Sequence, residues 1–180
     1  YKEMSFDEAV SKIENEVEES VKYHKISDVE VGSFLSGGVD SSYVVATAMP
    51  NKTFSVGFDN KGFNETVYAK ELSDRLGIEN FSKIITPDEF FDGINKVQYF
   101  SDEPHANLSS VALYFLSKLA SEQVKVVLSG EGADELFAGY NEYAEALPQR
   151  IYKKLPFCLR NKLYKKLKDN YNENEKILDI

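Results

Sequence analysis

Cysteine is almost missing from this chain. Cys158 is the one thiol in 180 residues, so no internal disulfide can form. A reducing, cytoplasmic setting is the default expectation. Cys158 has no histidine or other metal-ligating neighbour in sequence, and we read it as a plain side chain. Long apolar runs are missing too. None approaches the roughly 18–20 residues of a membrane span, and no leader pattern is visible, so no membrane partner is expected. Positive charge is in short supply: 21 Lys and Arg face 30 Asp and Glu, for a formal net charge of −9. That balance argues against general binding to nucleic acid or anionic membranes. One stretch runs the other way. Every charged residue from Arg150 to Lys168 is basic, which we read as a solvated helix face, or one docked on acidic neighbours, in preference to an RNA-binding patch. What remains is ordinary for a globular protein, with 42% hydrophobic and 28% charged residues and a length sufficient for one well-filled core.

The chain is organised around Ser36-Gly37-Gly38-Val39-Asp40-Ser41-Ser42. A short apolar run at 31–35 precedes it and another at 43–48 follows, which predicts strand, glycine turn, helix. Adjacent glycines allow a tight turn and a close ligand approach. Asp40, Ser41 and Ser42 then fall at a helix start, where free N–H groups and the helix dipole attract an anion. The Walker pattern is absent, because no lysine follows the loop. Asp40 stands there instead, and a carboxylate beside phosphates makes sense when Mg²⁺ joins them. A solvated turn at a helix N-cap would use the same residues; the flanking strand and helix favour the phosphate cradle.

Ser5-Phe6-Asp7-Glu8 forms a capping box, and Phe6, Val10, Ile13, Val17 and Val21 make one apolar helical stripe expected to cover a side of the sheet. His24, near the end of that helix, reads as a surface residue. Strands are expected at 53–58, 81–85 and 124–128. Asn64 caps a predicted helix at 65–76, stopped by Gly77. Thr86-Pro87-Asp88-Glu89 is a second capping box, opening a helix toward Tyr99. A polar loop at 101–107 leads to a helix at 109–120. After the fourth strand comes a second glycine corner, Ser129-Gly130-Glu131-Gly132-Ala133-Asp134-Glu135, which starts another helix. The rest is helical and polar, broken at Pro148 and Pro156. Alternating strands and helices point to an α/β fold: a parallel sheet with helices on both faces and a helical C-terminal part.

Ligands of such sheets bind beyond the carboxyl ends of the strands. Should the two corners belong to neighbouring strands, Ser36, Asp40, Ser41, Ser129, Glu131 and Asp134 gather around one ligand. Asp40 and Asp134 then bracket a Mg²⁺, although both also suit plain helix caps. Glu131, between two glycines, is placed to act as a general base or to hold an attacking amine.

SGGVDSS resembles the pyrophosphate motif of the N-type ATP pyrophosphatases, an adenine nucleotide alpha hydrolase-like fold. SGEGADELFAGY resembles the second motif of the synthetase domain of glutamine-hydrolysing asparagine synthetases. TFSVGF, the segment from Asn64 to Ala69, and DEPHAN resemble that domain in the same order. The first motif is shared with GMP, NAD and argininosuccinate synthetases and with tRNA-modifying enzymes; the second is far more specific.

The resemblance implies ATP-dependent conversion of aspartate to asparagine, through β-aspartyl-AMP and attack by ammonia. It implies ATP and Mg²⁺ as cofactors. Leu35, Val56, Gly57, Ser129 and Gly130 would meet the adenosine part. Ser36, Gly37, Gly38, Asp40, Ser41 and Ser42 would hold pyrophosphate. Asp40 and Asp134 would bind the metal, and Glu131 would orient or deprotonate ammonia. Glu103 and Asn107 would help hold aspartate. A β-lactam synthetase or another amidotransferase of this fold is the alternative. Asn107 stands where many family members have aspartate, and Ala138 replaces a usual glycine. A glutaminase domain with its terminal cysteine, and a later catalytic lysine, have no counterpart here. The expectation is therefore a fragment: an ATP-binding segment at 1–145 and a truncated helical extension at 146–180, inactive or weakly active alone. A homodimer is compatible with this reading.

Overall fold

Both capping boxes form. In the computed structural model the Ser5 N–H donates to Glu8 Oε2 (2.9 Å) and the Glu8 N–H donates back to Ser5 Oγ (3.3 Å). Thr86 and Glu89 repeat the exchange at 3.0 and 3.3 Å, with Pro87 in the first turn. The Lys83 ammonium and the Thr86 backbone together hold the Glu89 carboxyl below the usual range. Their contribution to stability is thus complete above the usual carboxylate range and is lost as pH falls through the lowered folded value.

The structure describes residues 3–60, 64–104, 106–143 and 147–178. Its contacts divide the chain into two compact units, Tyr1–Gly132 and Ala133–Ile180. The expected division at 145/146 falls on residues outside the described set. The first unit runs α1 (Phe6–His24), β1 (Val31–Phe34), α2 (Val39–Ala48), β2 (Lys52–Phe58), α3 (Thr66–Leu76), β3 (Glu79–Ile85), α4 (Pro87–Phe100), α5 (Ser109–Ser121) and β4 (Val126–Leu128). The second holds α6 (Ala133–Phe137), a 3₁₀ turn (Asn141–Tyr143), α7 (Leu147–Lys154) and α8 (Phe157–Leu178). Pro148 lies in the first turn of α7 and Pro156 just before α8, so both prolines punctuate as expected. Gly77 ends α3 in the left-handed conformation, φ 70°.

The four strands pair in parallel in the order β3-β2-β1-β4. After β1 the chain steps outward to β2 and β3, then returns to place β4 on the other side of β1. The order therefore reverses between β1 and β4, and a crevice opens at their carboxyl ends. Those ends carry the two glycine corners.

Helices cover both faces. Leu35, Val45, Ala69 and Ile78 form one buried cluster with Leu72 and Leu76, and Val21, Ala48 and Leu128 form a second with Val17, Val31 and Val44. Phe54, Ala120 and Val124 form the third, on the opposite face, with Phe34, Phe81, Leu116, Leu119 and Val127. The alternation Phe34/Leu35 and Val127/Leu128 distributes neighbours to opposite faces, as the strand pleat requires.

The stripe on α1 is only half used. Val17 and Val21 pack, whereas Phe6 is 81% exposed and Val10 and Ile13 are also open to solvent. The reason is length. The 19 residues of α1 extend about 28 Å and the ten of α2 about 15 Å, so α2 reaches only half the stripe. His24 is exposed, as expected, and Cys158 is exposed as well. Among the described residues no helix is long and apolar enough to cross a membrane.

Gly32 shows how tightly the aromatic face is filled. A Cβ there would stand 2.7 Å from Phe54 Cε2 and 3.3 Å from Val124 Cγ2. The Phe54 ring is fully buried and stacked on Phe81, so it has little room to yield. Gly32→Ala is expected to destabilise the protein by about 1–3 kcal/mol, read as a lower denaturant midpoint at unchanged slope.

Candidate functional site

The first corner begins where β1 hands over to α2. The Leu35 N–H donates to the Phe54 carbonyl (2.9 Å), and the Leu35 carbonyl accepts from Ser55 Oγ (2.8 Å). Asn80 Nδ2 in turn donates to Ser55 Oγ (3.1 Å) and Thr53 Oγ1 (3.0 Å). A buried polar seam thus fixes the floor of the loop. The side chain of Leu35 is 2% exposed and belongs to the core.

The loop itself is braced by its own hydroxyls. The Ser36 N–H donates to Ser41 Oγ (3.1 Å), the two hydroxyl oxygens are 2.8 Å apart, and the Gly38 N–H donates to Ser36 Oγ (3.1 Å). Ser42 Oγ donates to the Gly38 carbonyl (2.7 Å). Gly38 is the N-cap of α2, with no side chain to cap it, so the first-turn amides of α2 have no intrahelical acceptor and point outward. Asp40 is exposed in that turn. Its carboxylate has no hydrogen-bond partner among the described residues.

The second corner closes directly on the first. A Cβ built on Gly130 would stand 2.8 Å from the Ser41 nitrogen, 3.0 Å from the Asp40 carbonyl carbon and 3.1 Å from Ser41 Cα. These are backbone atoms that cannot swing aside. Gly130 is therefore required by close approach. Beside it the Glu131 N–H donates to Ser129 Oγ (3.2 Å), which pins the turn. The Glu131 carboxylate is exposed and has no hydrogen-bond partner among the described residues. Ser36, Gly37, Gly38, Asp40, Ser41, Ser42, Ser129, Gly130 and Glu131 thus share one end of the sheet.

Val56 and Gly57 lie near the carboxyl end of β2. Val56 is half-buried on the aromatic face. Gly57 serves packing: a Cβ there would meet Asn64 Oδ1 at 2.5 Å and Thr66 Cγ2 at 3.0 Å. Asn64 uses that oxygen to accept from the Thr66 N–H (3.2 Å) and Thr66 Oγ1 (2.5 Å), which caps α3 as expected.

The loop between α4 and α5 lies at the same edge. Leu119 and Ala120 pack with Phe54 near the start of β2, while Phe115 lies under the Lys83 ammonium (5.7 Å), farther along β3. Hence α5 runs antiparallel to the strands, and its N-terminal end faces their carboxyl edge. Glu103 and Asn107 are both exposed there, and Asp102 takes a left-handed backbone, φ 59°. Asn107 Oδ1 accepts from the Ser109 N–H (3.0 Å) and Ser109 Oγ (2.7 Å), so it caps α5. His105 of that loop lies outside the described residues.

Asp134 belongs to the second unit, in α6. Its carboxylate lies against Gly139, where a Cβ would stand 1.9 Å from Oδ1. The Gly139 N–H donates to the Asp134 carbonyl (3.0 Å). Ala138, between α6 and this glycine, is left-handed at φ 56°. The position thus asks for glycine, and alanine costs about 1–2 kcal/mol there. Tyr140 OH donates to Glu135 Oε1 (2.8 Å), which pushes the phenol up to about 12.

Among the described residues no group of three or more His, Cys, Asp or Glu is placed to hold a metal. A lone unpaired carboxylate such as Asp40, beside open amides, fits Mg²⁺ that draws most of its ligands from phosphate oxygens and water. Glu65 and Tyr68 were not singled out from sequence, yet both touch the first corner. The Gly37 N–H donates to Glu65 Oε2 (3.4 Å), and Gly37 packs on the Tyr68 ring. Their place in the Asn64–Ala69 segment was the available signal.

The profile described as asparagine synthase matches residues 12–178. Asparagine synthetase [glutamine-hydrolyzing] 1 of Bacillus subtilis is 47% identical over 161 residues, covering 87% of this chain and 26% of that protein. The human asparagine synthetase [glutamine-hydrolyzing] is 30% identical over 142 residues, covering 71% of this chain and 25% of that protein. The chain thus spans about a quarter of the length of the curated relatives it matches. Among solved structures, NMN synthetase of Francisella tularensis aligns with a TM-score of 0.46 at 22% identity, over 77% of this chain and 59% of that one. With the profile matching nearly the whole length and relatives of that name at 30–47% identity, the chain belongs to the asparagine synthase family.

Proposed function

We propose that this chain is the nucleotide-binding part of a glutamine-hydrolysing asparagine synthetase. The observation that carries the reading is the contact of Gly130 with the Asp40–Ser41 backbone, which joins both glycine corners at one crevice. ATP lies there with its β- and γ-phosphates on the loop at 36–42, held by the open amides of α2 and by the hydroxyls of Ser36, Ser41 and Ser42. The adenosine part rests on the β1, β2 and β4 ends, through Leu35 backbone, Val56, Gly57, Ser129 and Gly130. The β-carboxylate of aspartate attacks the α-phosphorus. The bond to the bridging oxygen breaks, and β-aspartyl-AMP and pyrophosphate result. Ammonia then attacks the acyl carbon, AMP leaves, and asparagine forms.

Asp40 would hold Mg²⁺, which when bound would neutralise phosphate charge. Glu131 faces the reacting end and orients ammonia or takes its proton. Glu103 offers a carboxylate for the α-ammonium of aspartate. Asn107 already spends Oδ1 on its helix cap, so its share in holding aspartate is smaller. Relatives named asparagine synthetase favour aspartate over the acceptor of a β-lactam synthetase. The glutaminase domain, the ammonia it supplies, the cytoplasmic setting and a homodimer belong to this same reading of the full-length enzyme.

Calorimetric titration with Mg-ATP is the direct test. Saturable heat at or below millimolar nucleotide, weakened when EDTA removes the metal, is the expected result. Absence of heat at millimolar Mg-ATP overturns the proposal. In the full-length enzyme, pyrophosphate release should depend on aspartate and not on other carboxylic acids.

A further inference from the structure

One anion already sits at the pyrophosphate loop. Glu65, 28 residues from Gly37 in sequence, places Oε2 within 3.4 Å of the Gly37 nitrogen and accepts its N–H. The approach is a packed one: a Cβ on Gly37 would stand 3.5 Å from Glu65 Cβ and 3.2 Å from Tyr68 Cδ2. The Asn64 cap fixes the start of α3 against β2 and so sets where Glu65 stands. The other loop groups are bonded to one another, Ser36 with Ser41 and Gly38 with Ser36. Gly37 is the loop amide that turns to a carboxylate instead.

A carboxylate and a pyrophosphate oxygen cannot share one N–H comfortably. Both are acceptors only, and like charges a few ångströms apart repel strongly near a protein surface. We propose that the Glu65 carboxylate is a place-holder for pyrophosphate: it occupies the Gly37 amide while the loop is empty, is displaced when the anion binds, and by its charge limits how long the leaving pyrophosphate is retained. The inference rests on the loop at 36–42 being the pyrophosphate site. Glu65 is a positioning residue in this scheme and exchanges no atoms with substrate. Its charge matters in the step after adenylation, when pyrophosphate must depart.

The test uses the full chain with Mg²⁺ and inorganic pyrophosphate as probe, in calorimetry, comparing wild type with Glu65→Gln and Glu65→Ala. Glu65 is exposed, so both variants should fold. Glu65→Gln keeps the shape and an acceptor oxygen but removes the charge; we expect pyrophosphate to bind about tenfold more tightly, with Glu65→Ala shifting in the same direction. AMP, which lacks the pyrophosphate group, should bind all three proteins alike. A carboxylate that merely tethers the loop predicts the reverse, and weaker or unchanged pyrophosphate binding in Glu65→Gln overturns the inference while leaving the nucleotide site in place. Failure of all three proteins to bind pyrophosphate or Mg-ATP overturns the site itself, and the inference with it.

Discussion

Gly130→Ala is expected to weaken Mg-ATP binding by roughly five- to hundredfold, equivalent to about 1–3 kcal/mol. The added methyl would stand 2.8 Å from the Ser41 nitrogen and 3.0 Å from the Asp40 carbonyl carbon. Both belong to the first turn of α2, and that turn is braced by Ser36, Gly38 and Ser42. Neither corner can absorb the collision by a rotamer change, so they must separate. Separation costs the ligand twice, because the loop amides lose their alignment and the β4 end moves away from the nucleotide. The residue is not left-handed, so backbone strain makes no contribution and the collision alone sets the effect. Calorimetry gives the affinity, and a denaturant melt of the same sample gives the stability. Unchanged affinity would mean that the second corner does not border the nucleotide.

Glu131→Gln should separate binding from chemistry. The carboxylate is exposed and has no partner among the described residues, whereas its N–H is tied to Ser129. The substitution therefore leaves the turn intact and removes only the basic oxygen. In the full-length enzyme supplied with ammonia, asparagine formation is expected to fall by about 10²–10⁴-fold, the usual range for loss of a general base. Mg-ATP affinity should stay within about twofold, since this range is what an uncoupled exposed side chain permits. A nucleotide sensor would be indifferent to this change. Equal turnover by wild type and variant would remove Glu131 from the mechanism.

The fold was legible to a large extent, and for identifiable reasons. Ser5/Glu8 and Thr86/Glu89 are local signals, closed within three residues, and each forms the box it announces. Gly77 sits at the one backbone angle that favours it. The strand segments alternate small polar residues and phenylalanine, so Phe34, Phe54 and Phe81 go to one face while Ser33, Thr53, Ser55 and Asn80 go to the other. Periodicity misled where length intervened. The α1 stripe reads as continuous, but its partner helix is too short to cover Phe6, Val10 and Ile13.

Site residues were legible as motifs, and the structure adds what each does for the fold. Gly57 resembles a nucleotide contact, yet its missing side chain makes room for Asn64. Asn107 reads as a substrate ligand, yet its amide oxygen caps α5. Leu35 contributes backbone to the loop and its side chain to the core. Ala138 looks like a minor replacement until its left-handed backbone is seen.

By itself the sequence determined what is local in the chain: the strands and helices, their caps, the two glycine corners and their kinship. Those features depend on neighbours a few residues apart. Tertiary structure decided what depends on distance along the chain, because pairing order is set by where buried faces find partners. Only the placement of β4 beside β1 brings Gly130 to the first turn of α2, and only the seating of α3 against β2 brings Glu65 to Gly37.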